Sequence, residues 1–164
     1  MSMYDRSLLP LRQNCEGYFL DGKGNILAHV SSKGYLVFPG GGAEDGEDLH
    51  TALVRETLEE TGARVVITQD LGAVSYEWPP NWAKTDKQRQ RYAIFRGDEM
   101  HFFAGTILGF TTAAQHEDSW QGAKLMPLAQ AIAFDEQLQP FTPEMSTYYA
   151  AQLQFLRQLA GRTP

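Results

Sequence analysis

Residues 41–62 read GGAEDGEDLHTALVRETLEETG: a glycine-rich approach, then a run from Asp48 to Thr61 without glycine or proline, then Gly62. That run predicts one helix of about four turns, with Gly62 as its C-terminal cap. Glu56, Glu59 and Glu60 stand at i, i+3 and i+4, so their side chains leave the helix on one face within a single turn. At about 100° per residue, Leu49, Ala52 and Leu53 fall on the same stripe, which starts apolar and ends acidic. The glutamates therefore face a core edge or a cleft. Like charges at i,i+4 cost a helix about 0.2–0.5 kcal/mol per pair, and partial burial costs more unless a cation compensates. Carboxylate oxygens suit a hard divalent ion, magnesium or manganese. Arg55, four residues before Glu59, can orient a carboxylate through an ion pair. Gly40, Gly41 and Gly42 let backbone come close to an ion or a phosphate, and Glu47 lies near the helix start, where negative charge is favoured.

Outward from this stretch the chain reads as strands and one more helix. Gly17–Leu20, a turn over Asp21–Asn25, and Ile26–Val30 predict a hairpin. Leu36–Phe38 predicts a short strand running into Pro39-Gly40-Gly41-Gly42, where the chain is expected to turn. Arg64–Ile67, Gly72–Glu77, Met100–Phe110 and Ala123–Leu125 read as strands, the last ended by Pro127. A closing helix is expected from about Glu144 to Ala160, with Thr142-Pro143 as cap and first residue and with Met145, Tyr149, Leu153 and Leu156 at helical spacing. Strands interleaved with two or three helices predict an α/β or α+β sandwich, and 164 residues fit a single domain over 1–164.

Composition narrows the class. A hydrophobic fraction of 43% marks a folded globular chain, and no apolar run reaches the roughly 18 residues that span a bilayer, so no membrane partner is expected. Nothing near Met1–Leu9 reads as a secretion signal, which leaves the cytoplasm as the default location. Cys15 is the only cysteine, which excludes an internal disulfide and a multi-cysteine zinc site and reads as a packing residue. The net charge of −6 argues against a general nucleic-acid binder, which needs a basic field.

The 41–62 stretch resembles the Nudix box: glycine, five residues, glutamate, seven residues, then Arg-Glu-aliphatic-any-Glu-Glu-any-Gly-aliphatic. Gly41, Glu47, Arg55, Glu56, Glu59, Glu60 and Gly62 match it, while Thr57 and Ala63 stand where aliphatic residues are usual. The resemblance implies an α/β/α sandwich with a mixed sheet, and hydrolysis of a phosphoanhydride bond in a nucleoside diphosphate derivative. It further implies a metal held by Glu56, Glu59 and Glu60, with the carbonyl of Gly41 or a neighbour and the later acid Glu117 as added ligands. Divalent ions would neutralise the phosphate oxygens and acidify an attacking water, whose proton would go to Glu59 or to a loop carboxylate, Glu117 or Asp118.

For the substrate, Lys84, Lys87, Arg89, Arg91 and Arg96 against the single acid Asp86 read as a phosphate-binding loop, or as a solvated one. Tyr76 and Trp82, in Tyr76-Glu77-Trp78-Pro79-Pro80-Asn81-Trp82, can stack on a base or pack on the sheet. This segment, with Phe95-Arg96-Gly97 and His101-Phe102-Phe103 beyond it, resembles the diadenosine polyphosphate and RNA 5′-pyrophosphohydrolase branch. It departs from that branch at Asp98-Glu99-Met100, usually glutamine and lysine, and at Phe102, usually tryptophan. The expected partner is a nucleotide: a dinucleoside polyphosphate first, then a nucleoside triphosphate, an oxidised one included, or ADP-ribose or a nucleotide sugar. An RNA 5′ end is a special case. His101 reads as structural. A binding module of another class, with no catalysis, would show decay at the box's polar positions, which are intact here. An isomerase would need a placed reactive cysteine. Family members are often homodimers.

Overall fold

The computed structural model describes residues 5–111, 120, 124–143 and 145–161. Among these residues, after a 3-10 turn at Arg6–Leu8, eight strands and four α-helices follow one another as β1 (Leu11–Leu20), β2 (Asn25–Leu27), β3 (His29–Val30), β4 (Leu36–Val37), β5 (Gly40–Gly42), α1 (Leu49–Thr61), β6 (Ala63–Glu77), α2 (Asp86–Ile94), β7 (Gly97–Phe110), β8 (Leu125–Pro127), α3 (Leu128–Gln137) and α4 (Ser146–Ala160). The mixed sheet runs β6-β7-β1-β2-β8, with β5 also on β1, and β3-β4 form a separate pair. β1 is the centre. It pairs in parallel with β7 along its whole length, and on its other edge antiparallel with β5 at Asn14–Glu16 and with β2 at Leu20.

With strands on both edges and helices over both faces, β1 is buried from Asn14 to Phe19. On one face Cys15 and Phe19 join Phe103, Val65, Ala52 and Leu53, so α1 packs there. On the other, Tyr18 joins Phe102, Ile26, Ala131, Ala151, Phe155 and Leu156, which brings in α3 and α4. This is the expected α/β/α sandwich.

Several boundaries differ from the sequence reading, each for a physical reason. The triglycine segment is not a turn but a strand, because bare backbone fits against β1: a Cβ on Gly40 would stand 2.1 Å from the Cys15 carbonyl oxygen. The second hairpin strand splits at Ala28: up to there it pairs with β8, with the Ala28 N–H on the Lys124 carbonyl at 3.1 Å, and beyond it His29 and Val30 pair with β4. The two strands expected over 64–67 and 72–77 are one, β6, whose register shifts between Arg64 and Gly72 absorb the irregular residues between them. β7 begins at Gly97, and β8 includes Pro127, which sits at its end on the sheet edge. The basic stretch expected as a loop is α2, started by a capping box in which Thr85 and Gln88 bond each other's backbone. α3 had no glycine, cap or clear stripe to announce it. α4 starts at Ser146 with Met145 before it and no side-chain cap, so Thr142-Pro143 does not cap it; Glu144 and Ala123 lie outside the described residues.

Candidate active site

Helix α1 is fixed at both ends. The Asp48 carboxylate accepts the Thr51 N–H at 2.8 Å, and Gly62 closes the helix at φ 79°, its N–H donated to the Leu58 carbonyl. Thr57, at a position usually aliphatic, is buried and donates its hydroxyl to the Leu53 carbonyl at 2.7 Å; with its polar group satisfied inside its own helix, it packs like a small apolar residue. Ala52, Leu53 and Thr57 thus seat α1 on the sheet, and the next turn carries the glutamates to the sheet's rim.

Arg55 organises the acids. It grips Glu47 with two parallel bonds, Nε to Oε2 at 2.8 Å and Nη2 to Oε1 at 2.9 Å. Its Nη1 donates to Glu56 at 3.2 Å and to Glu59 at 3.1 Å. The Arg55 guanidinium holds the Glu47 carboxyl down at about 2, and the same bonds push the guanidinium's own pKa up. Glu60 accepts the Gly40 N–H at 3.2 Å, a bond that exists because the triglycine segment is paired to β1. A Cβ on Gly41 would come within 3.1 Å of the Glu56 carboxylate, so any other residue here would push that side chain aside. The Gly41 carbonyl accepts the Cys15 thiol at 3.2 Å, which leaves its second lone pair. Burial pushes the Cys15 thiol up to about 12, as fits a packing residue and not a nucleophile.

The donors fit a hard divalent cation: three carboxylates on one helix face and a backbone carbonyl beneath one of them. Among the described residues, no three His, Cys, Asp or Glu side chains are already gathered into a metal-holding group. Arg55, reaching Glu47, Glu56 and Glu59 together, draws these acids to itself. Glu117 and Asp118 lie outside the described residues.

The residues expected to meet substrate are spread unevenly. Arg89 is spent on its own helix, bonding Asp86 and the Lys84 carbonyl, and Lys87 is exposed. Arg96 bonds the Leu9 carbonyl and pairs with Glu77 at 3.5 Å, so it ties down the segment before β1. Arg91 is half-buried and close enough to Arg12 for its positive charge to lower the Arg12 pKa further, after burial, against the pull of Asp98. Arg12 is the residue that sequence reading missed; its signal was the polar run Arg12-Gln13-Asn14 opening an otherwise apolar strand. It borders a cleft of about 570 Å³ together with Gln13, Phe95 and the segment from Gly42 to Leu49. A second cleft, about 300 Å³, is lined by Tyr76, Trp78, Trp82, Asp98, Met100 and Tyr148. There the Trp82 ring lies flat on Trp78, centroids 3.8 Å apart and planes 4° apart. His101 bonds Glu99 at 2.8 Å and Gln13 at 3.1 Å, which fits its structural reading.

The family model of the NUDIX domain matches residues 15–151. The chain belongs to the Nudix family. Its glutamate-bearing helix is the Nudix helix, and the protein is an enzyme of the Nudix pyrophosphohydrolase type. Similar curated Nudix-branch proteins include the RNA pyrophosphohydrolase of Dinoroseobacter shibae, 34% identical over 110 residues that span 58% of this chain and 68% of that one. The RNA pyrophosphohydrolase of Wolbachia sp. subsp. Drosophila simulans is 30% identical over 138 residues, 76% of this chain and 82% of its own. Among solved structures, a Nudix hydrolase from Nitrosomonas europaea shares the fold at TM-score 0.61 and 19% identity, covering 94% of this chain and 93% of that chain. No helix among the described residues is long and apolar enough to cross a membrane.

Proposed function

We propose that this Nudix enzyme hydrolyses a phosphoanhydride bond of a polyphosphorylated nucleotide, a dinucleoside polyphosphate or the 5′ polyphosphate end of an RNA. The observation that carries the reading is Arg55 bound to Glu47, Glu56 and Glu59 beside the Gly41 backbone, because it gathers acids where a phosphate's cation would be needed. Glu56, Glu59 and Glu60, with the Gly41 carbonyl and Glu117, would hold magnesium or manganese. When bound, that ion supplies charge neutralisation for the anhydride oxygens and a more acidic water.

The protein's own groups do the rest. Glu59 is the most exposed of the three glutamates on this helix face, at 51% against 21% for Glu56, and only one of its oxygens is engaged by Arg55, so it is the one best placed to take the proton of an attacking water. Arg55 keeps the neighbouring carboxylates charged and oriented. Arg12, bordering the first cleft from β1, meets the phosphate chain, with Arg91 of α2, whose charge reaches Arg12, and the exposed Lys87 adding to its field. The open side of Trp82, with Tyr76 beside it, takes a base by stacking. The names of the similar curated proteins favour an RNA end, and an aromatic-lined cleft beside an acid-lined one that Arg12 borders suits a nucleotide whose phosphate chain is bound with a divalent cation.

The test is product release from diadenosine tetraphosphate, 5′-triphosphate RNA, nucleoside triphosphates and ADP-ribose, with magnesium and with chelator. Metal-dependent cleavage of the first two, ahead of ADP-ribose, is the expected result. Preference for ADP-ribose would overturn the substrate assignment, and metal-independent cleavage would overturn the site.

A further inference from the structure

Asp98 sits in one row of side chains across three neighbouring strands, with Tyr76 of β6 and Arg12 of β1 as its register partners. It is 8% exposed. One carboxylate oxygen accepts Asn14 Nδ2–H at 2.7 Å, the other Trp78 Nε1–H at 2.9 Å. Arg12 Nη1 stands 3.9 Å from the oxygen that Asn14 engages. Each partner leads to a different cleft. Trp78 carries the stacked Trp82. The Arg12 guanidinium lies across Gly42, whose added Cβ would stand 2.7 Å from Nη2, at the border of the cleft beside the Nudix helix.

A neutral amide would still accept from one of Asn14 and Trp78 and would avoid the cost of burying a charge. Burial indeed disfavours the Asp98 carboxylate and raises its pKa, while Trp78, Arg12, Asn14 and Arg91 pull it back. The two arginines are the partners for which charge matters, since they repel each other and the Asp98 carboxylate is drawn to both. We infer that Asp98 is a positioning residue that fixes Arg12 relative to the Trp78–Trp82 pair, so that phosphate chain and base are engaged together. This rests on the substrate site proposed above.

Asp98→Asn keeps an acceptor for one donor and removes the charge. With diadenosine tetraphosphate and magnesium, KM should rise about ten-fold while kcat stays within about three-fold, the size of effect that follows from losing a charged partner. The near-ultraviolet circular dichroism of the stacked indoles and the melting temperature should stay close to native. Adding Arg12→Ala to Asp98→Asn should raise KM less than Arg12→Ala does alone. Trp78→Phe, which removes the indole donor and part of the ring stacked on Trp82 while keeping an aromatic face, should raise KM about three-fold. A native KM in Asp98→Asn, alongside raised values in Arg12→Ala and Trp82→Ala, overturns the inference and leaves the substrate site standing. No effect in Arg12→Ala and Trp82→Ala overturns the substrate site itself. Loss of the dichroism signal and of melting temperature together with KM makes Asp98 a folding residue only, and also overturns the inference.

Discussion

Two sets of carboxylates lie on opposite faces of the same sheet. On the α1 face, Glu47, Glu56 and Glu59 converge on Arg55 at the rim. On the α4 face, Glu16 is buried and accepts only neutral donors: Tyr18 at 2.8 Å, Gln152 at 3.1 Å and the Tyr148 hydroxyl. Asp135, also buried, has no hydrogen-bond partner for either oxygen among the described residues. The shifts run in opposite directions. Arg55 holds Glu47 down to about 2, whereas burial, with the Glu16 charge added, pushes Asp135 up to about 7. A cation at the rim keeps acids charged and usable; a core without one drives them toward the neutral form. Carboxylates stay charged beside a guanidinium in one place and cost stability in the other.

Breaking the rim set should give the largest effect. Glu59→Gln or Glu60→Gln keeps shape and removes charge, so kcat should fall about 10²–10⁴-fold with the melting temperature nearly unchanged, measured by steady-state kinetics and calorimetry. Native turnover in both variants would remove the rim from catalysis. Arg55→Ala frees Glu47, Glu56 and Glu59 together and should cost about 10–100-fold in activity, the usual size for a residue that orients ligands.

The core set is tested by pH. The folded-state pKa of Asp135 is raised above its unfolded value of 3.8, so the native form binds the extra proton between the two values. Its contribution to stability is therefore best below pH 3.8 and is lost as pH rises toward about 7. Glu47 runs the other way: its contribution is present above pH 4.5 and is lost as pH falls toward about 2. Asp135→Asn should flatten the Asp135 part of the profile and raise the melting temperature at pH 8 by about 4 °C, the shift expected for 1–2 kcal/mol in a chain of this size. A melting temperature lowered equally at pH 5 and pH 8 would mean that the variant only damages packing. The smallest effect belongs to Arg89→Ala. Because Arg89 is bound to Asp86 and the Lys84 carbonyl, KM for diadenosine tetraphosphate should change less than about two-fold, whereas Arg91→Ala should raise it several-fold.

What sequence made legible was local. The i, i+3, i+4 glutamates, the Gly62 cap and the Asp48–Thr61 helix are all set within a few residues of each other, and short-range spacing predicts them. The triglycine strand was not legible, because its conformation depends on β1, more than twenty residues earlier, offering a backbone edge. α2 was hidden because no residue in it is buried, so it carries no apolar stripe; its capping box, Thr85 and Gln88, was the one readable sign. Arg12 and Asp98 were missed as a pair because only the parallel β1–β7 register makes them neighbours.

That register also has a consequence for how the chain comes to be folded. Leu11 pairs with Gly97 and Leu20 with Thr106, positions more than eighty residues apart, so the middle of the sheet closes a long loop, and the β2–β8 pairing of Asn25 with Pro127 at the edge closes a longer one. During synthesis the Nudix helix and its glycine-rich approach leave the ribosome long before β7 does. The Glu16 side of the core, which needs α4, can only be buried last. Folding of this enzyme should therefore be limited by a late, long-range strand insertion, with the acid-bearing helix waiting on it.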